Sequence, residues 1–281
     1  MCPPNTKQIN EDIMEKSKKV TVLDFQRKKD AGQKIHMLTA YDFLMAKIID
    51  KSGIDAVLVG DSVGMVVLGY DSTIPVTVEE IIHHAKAVRR GITRAFFIGD
   101  MPFLSYQSSD EDAIRNAGRI VKEGGCEAVK VEGGAEMCSR ITAIIEAGIP
   151  VLGHIGLTPQ SVNKLGGYKV QGKDPDTAKK LLEDAVLLEK AGCFAIVLEC
   201  VPGELAAKIT AKIEIPTIGI GAGAECDGQV LVTNDMIGFF DKPVPKFVKT
   251  YAETYKIISE AVSNFKNETE SGVFPGEEQS Y

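Results

Sequence analysis

The stretch GCEAVKVE at residues 125–132 joins a helix-ending glycine, a small residue three places on, a short apolar run and a terminal carboxylate. The arrangement returns as GIDAVLVG at 53–60, with Asp61 next, and as GCFAIVLE at 192–199. Each glycine can close a helix by taking positive φ, and each alanine lets the following strand approach the helices. Asp61, Glu132 and Glu199 thereby come to near-equivalent places at the downstream tips of strands, and Asp100, ending AFFIGD, makes a fourth.

Outward from these repeats the same alternation runs along the chain. Apolar runs at 35–40, 55–60, 95–99, 128–132, 151–155, 195–199, 217–221 and, less cleanly, 229–234 read as strands. Amphipathic patterns at 42–52, 77–90, 110–123, 135–147, 177–191, 203–213 and 246–265 read as helices. Continuous apolar strands between helices imply a parallel sheet covered on both faces, and eight units imply a (β/α)8 TIM barrel of the α/β class. A doubly wound sheet is the rival, but it would gather its ligand at one switch point, whereas here polar strand ends spread over at least five units. The expected organisation is an arm at 1–20, one barrel domain at 21–265 opened by a capping helix at 21–31, and a polar, disordered tail at 266–281.

Composition narrows the partners. The 281 residues are 44% hydrophobic and 25% charged with a formal net charge of −7, and no basic cluster exceeds short pieces such as Lys28-Lys29 or Arg89-Arg90, which argues against nucleic acid. No apolar stretch reaches the ~18 residues of a membrane span and no secretory signal opens the chain, so a cytoplasmic protein is expected. The six cysteines include no CxxC pair, which suits reduced thiols and disfavours zinc. His83 and His84, adjacent on a helix, point about 100° apart and suit a surface or interface role. GIGAG at 219–223 lacks the third glycine of a dinucleotide fingerprint and reads as a loop that admits close backbone approach.

Carboxylates drawn toward an apolar interior lose hydration that a cation or donors must replace. Lys130 and Glu132 share a strand face, and since Val129 and Val131 take the helix side, both charges should face the barrel interior. A private Lys130–Glu132 pair, a turn-capping Asp61 and a turn-starting Asp100 are each possible alone. Together, hard oxygen ligands from separate strands suit Mg2+. His154, at the tip of VLGHI, is expected to line the site.

The blocks VGDSVGMVVLGYDSTIPVTVEEI (59–81), IGDMPFLSY (98–106), VKVEGG (129–134), GHIGLTPQSVNKLGGYKVQGK (153–173), VLECVP (197–202) and IGIGAGAECDGQVLV (218–232) resemble the ketopantoate hydroxymethyltransferase family, over about residues 20–265. The resemblance implies a barrel of the phosphoenolpyruvate/isocitrate lyase type in a homo-oligomer, typically a decamer. It further implies transfer of a hydroxymethyl group from 5,10-methylenetetrahydrofolate to 3-methyl-2-oxobutanoate, the first step of pantothenate and coenzyme A synthesis. By matching motif, Asp61 and Asp100 resemble ligands of one Mg2+ per subunit, with Glu132 contributing through water. Asp61, Ser62, Asp100 and Lys130 would hold the keto acid, and Glu199 would be the base. A lyase on the same barrel, or a barrel that only binds a chelating acid, are the alternatives. A Cys-Gly-His type loop is not evident for the first, and Glu199 stands where the second would have lost it.

Overall fold

The computed structural model describes residues 18–241 and 244–281; residues 1–17 of the expected arm lie outside them. Eight strands, β1 Ile35–Thr39, β2 Ala56–Val59, β3 Phe96–Asp100, β4 Ala128–Glu132, β5 Val151–Gly156, β6 Ala195–Glu199, β7 Thr217–Ile220 and β8 Gly228–Leu231, close into a barrel in sequence order. Every neighbouring pair is parallel, including β1 with β8. The long helices are α1 Val22–Asp30, α2 Phe43–Lys51, α3 Val78–Gly91, α4 Asp110–Gly124, α5 Cys138–Glu146, α6 Pro175–Lys190, α7 Gly203–Lys212 and α8 Thr254–Ser271. The expected (β/α)8 barrel is therefore present.

The two-residue period of the strands sorts side chains into two cores. Val57, Val59, Phe97, Val129, Val131, Ile196 and Leu198 pack outward under the helices. Met37, Leu58, Phe96, Ile98, Leu152, Val197, Ile218 and Val230 fill the barrel's lower interior, so polar residues further along the same strands are raised onto a solid floor. The repeated glycines behave as their positions demand, with φ of +81° at Gly53, +76° at Gly125 and +98° at Gly192.

Helix α1 caps the bottom as expected. Its Phe25, 1% exposed, meets Phe96 and Phe194 edge-on at centroid distances of 5.5 and 5.2 Å. Three acids just upstream of strands complete the seal. Asp55, Glu127 and Asp227 precede β2, β4 and β8 and accept the backbone N–H of His36, Phe97 and Thr217 in the neighbouring strands. Each also meets a lysine of the N-terminal segment: Lys28 at 2.6 Å, Lys19 at 2.6 Å and Lys29 at 3.0 Å. Lys19 and the buried Val20, placed in the arm by sequence, thus belong to the barrel floor.

Other boundaries move for local reasons. The pattern at 135–147 begins as a 3-10 turn, Ala135–Met137, before α5. Only part of the run 229–234 is strand, because Val232 caps a helical turn at Thr233–Met236. The barrel unit closes at Leu231, where the sequence reading carried it to 265, and Val232–Tyr281 forms a second compact unit. In that unit α8 continues past 265 to Ser271, supported by a Lys266–Glu270 pair at 3.2 Å one turn apart, and ends on Gly272 at φ +69°. Residues 266–271, expected in a tail, are helix. Among the described residues no helix is long and apolar enough to cross a membrane.

Candidate active site

The inward positions at the carboxyl ends of β3 to β6 carry charge where lower positions carry carbon. Asp100 ends β3, Lys130 and Glu132 lie on β4, His154 on β5 and Glu199 ends β6. Register sets Asp100 beside Lys130 and Glu132 beside His154. Asp61 and Ser62 follow β2 after Gly60, where a Cβ would come within 2.8 Å of Ser62 Oγ and 3.3 Å of Asp100 Oδ2. That missing side chain lets the Asp61 N–H donate to Asp100 Oδ2 at 2.9 Å. Asp61, Ser62, Asp100, Lys130, Glu132, His154 and Glu199 therefore stand at one end of the barrel.

Lys130 is the hub. Its Nζ lies 3.1 Å from Asp100 Oδ1, 3.6 Å from Glu132 Oε1 and 3.1 Å from His154 Nδ1. His154 Nε2 faces Glu199 Oε2 at 3.3 Å. Ser62 Oγ shares a 2.8 Å hydrogen bond with the Tyr41 hydroxyl.

Two further residues, which carry no titrating signal in the sequence, fix the acids. Gln160 donates its backbone N–H to Glu132 Oε2 at 3.1 Å and its side-chain amide to Asp61 Oδ2 at 2.8 Å and to the Met101 carbonyl at 2.9 Å. The buried Tyr106 hydroxyl lies 2.8 Å from Gln160 Oε1 and receives the Glu132 N–H at 3.2 Å, which sets the amide's orientation. The blocks LSY and TPQS contain both residues, but nothing in either run marks them as partners.

Four acids around one buried lysine leave excess negative charge, and protonation equilibria respond. Burial, then the charges of Asp100 and Glu132, push Asp61 well above the usual carboxylate range. Burial raises Glu132 to about 7 against the pull of Lys130, and burial raises Glu199 to about 7 likewise. Burial opposes the Lys130 ammonium, yet Asp100, Glu132 and Asp61 outweigh it and hold the group above its ordinary value. Burial and Lys130 push His154 well below the usual histidine range, so its ring is neutral.

The arrangement suits a hard cation. Asp100 Oδ1 is buried without an aligned hydrogen bond, and Asp61 and Asp100 come from adjacent strands. Among the described residues no three of His, Cys, Asp and Glu converge to cage an ion. Asp61 and Asp100 are hard oxygen donors of the kind Mg2+ takes.

A parallel barrel whose strand tips gather a buried lysine among acids, Glu132 and Glu199 both raised by burial to about 7, is that of an enzyme of the (β/α)8 class. The profile of ketopantoate hydroxymethyltransferase matches residues 19–277. The 3-methyl-2-oxobutanoate hydroxymethyltransferase of Carboxydothermus hydrogenoformans is 58% identical over 263 residues, covering 94% of this chain and 95% of that one. The enzyme of the same name from Acetivibrio thermocellus is 56% identical, covering 94% and 93%. The chain belongs to the ketopantoate hydroxymethyltransferase family and is a transferase. Among solved structures, 2,3-dimethylmalate lyase, of the PEP mutase/isocitrate lyase superfamily, superposes with a TM-score of 0.57 at 14% identity over 92% of this chain and 91% of that one. Phosphoenolpyruvate phosphomutase of Streptomyces platensis subsp. rosaceus gives 0.57 at 15% identity over 88% of each. These two share the fold.

Proposed function

We propose that the site transfers a hydroxymethyl group from 5,10-methylenetetrahydrofolate to 3-methyl-2-oxobutanoate, giving ketopantoate, through an enolate of the keto acid. The observation that carries the reading is Glu199, a carboxyl raised to about 7 at the tip of β6, facing the cluster around Lys130. A base poised near the working pH is what abstraction of a weakly acidic C–H requires.

Asp61 and Asp100 would hold one Mg2+ per subunit, with Glu132 reaching it through water. When bound, that ion supplies Lewis-acid polarisation of the 2-oxo group. Ser62 and Lys130, together with Asp61 and Asp100, hold the keto acid's oxygens. Glu199 takes the C3 proton, the C–H electron pair becomes the C2=C3 bond, and the Lys130 ammonium faces the negative charge that gathers on oxygen. Water supplies the hydroxyl oxygen: hydrolysis of the folate's methylene bridge breaks its two C–N bonds, releasing tetrahydrofolate and a one-carbon unit at the formaldehyde level. Carbon 3 attacks that carbon as its C=O electron pair moves to oxygen, which takes up a proton. The dry floor beneath the acids keeps that charge out of water, where each donor is worth more.

The test is exchange of the C3 hydrogen of 3-methyl-2-oxobutanoate with deuterated water in the presence of Mg2+ and no folate. Glu199→Gln should abolish exchange while keto-acid binding persists. Undiminished exchange would remove Glu199 from the base role, and ketopantoate formation unaffected by chelator would remove the metal. The reading also takes the protein as a cytoplasmic homo-oligomer, a decamer by family resemblance, which sedimentation measures.

A further inference from the structure

His154 is 2% exposed and locked between β4 and β6, and its two ring nitrogens face different partners. Nδ1 lies 3.1 Å from the Lys130 ammonium and 3.5 Å from Glu132 Oε1. An ammonium offers donors only, so at the shorter distance Nδ1 must accept. A proton on Nδ1 would be turned against the ammonium's own hydrogens to gain a contact 0.4 Å longer. The ring proton therefore belongs on Nε2.

That nitrogen is fully buried, and no atom among the described residues completes an aligned hydrogen bond to it. A donor left so costs about 1–3 kcal/mol. Glu199 Oε2 faces it at 3.3 Å, and the Leu157 carbonyl is a second acceptor against the ring. The Glu199 side chain is 15% exposed and the His154 side chain 3%, so the carboxylate has room to turn into line and the ring has not. We infer that His154 is a positioning residue for the base: Lys130 fixes its tautomer through Nδ1, and its Nε2–H engages Oε2 of Glu199, leaving Oε1 to meet the substrate hydrogen.

The inference rests on Glu199 being the base, and deuterium exchange at C3 separates the two ideas. The full-length protein with Mg2+ is compared with Glu199→Gln, His154→Gln and His154→Asn. A glutamine amide can set an N–H near the place of Nε2, whereas asparagine can offer Lys130 an acceptor near the place of Nδ1 and reaches no further. Loss of such a supporting partner typically costs about 10- to 100-fold. His154→Asn should lose about that much exchange turnover with keto-acid KM within threefold, and His154→Gln should recover most of it. Equal losses in both variants, the opposite order, or a loss confined to KM would overturn the inference. Retained exchange in Glu199→Gln would remove the base reading and this inference with it. Nitrogen-15 NMR of labelled histidine gives a readout that does not depend on turnover: Nε2 protonated and Nδ1 bare is expected, and the reverse tautomer overturns the assignment.

Discussion

Replacing Glu199 with glutamine should abolish turnover and, above neutrality, make the protein more stable. In the folded chain burial raises this carboxyl from 4.5 to about 7. Between those values the folded protein keeps a proton that the unfolded chain has released. The associated stability is complete below about pH 4.5 and is lost as pH rises through 7. At roughly 1.4 kcal/mol per unit, and with part of the effect already gone at pH 5, about 2–3 kcal/mol disappears between pH 5 and pH 8. Glutamine has nearly the same shape and cannot ionise. The stability of Glu199→Gln minus that of the unmodified protein should therefore climb by about 2–3 kcal/mol from pH 5 to pH 8. Guanidinium denaturation at fixed pH, in chelator so that no cation offsets the charge, measures the difference. Two pH–stability curves parallel to within about 0.5 kcal/mol would refute the argument, because the carboxyl would then be titrating as it does in the unfolded chain.

Asp100→Ala should abolish the heat of Mg2+ binding in calorimetry, and a titration matching the unmodified protein would exclude Asp100 as a ligand. Lys130→Met removes the cation 3.1 Å from Asp100 and should destabilise the metal-free protein by about 3–5 kcal/mol at pH 8. The loss should be smaller at pH 5.5, where Glu132, raised to about 7 even beside the lysine, takes up a proton; equal losses at both pH values would contradict the charge argument. At the opposite end of the barrel, Lys29 donates to the carbonyls of Thr210, Ile213 and Ile215 and to Asp227. Lys29→Met should cost about 2–4 kcal/mol of stability by leaving those acceptors unpaired while kcat stays within about twofold; a larger fall in kcat would tie the floor to the chemistry.

The barrel was legible because its units repeat. Gly53, Gly125 and Gly192 set the phase of the strands, and phase alone predicts that Lys130 and Glu132 point inward. Site residues that titrate were legible for a related reason, since charge at the tip of an apolar run is conspicuous. Gln160 and Tyr106 were not, because a neutral amide and a phenol become informative only when tertiary structure gives each a partner. Asp55, Glu127 and Asp227 escaped notice because an acid before a strand looks like ordinary turn chemistry until the neighbouring strand's N–H is found against it. The end of the barrel was misplaced for want of a local marker. The apolar run at 229–232 continues past Leu231, where the strand gives way to a helical turn.

The Lys29–Asp227 contact spans 198 residues of sequence. At synthesis rates of about 5–20 residues per second, Lys29 leaves the ribosome on the order of 10–40 s before its partner exists. Until β8 is made β1 can pair on one side only, with β2, since its second neighbour is the last strand made. An unpaired parallel edge is a template for any strand that arrives first, including one from another nascent copy. Barrel closure is thus a race between the chain's own final strand and its neighbours on the polysome, and the lysine that seals the floor marks the finish.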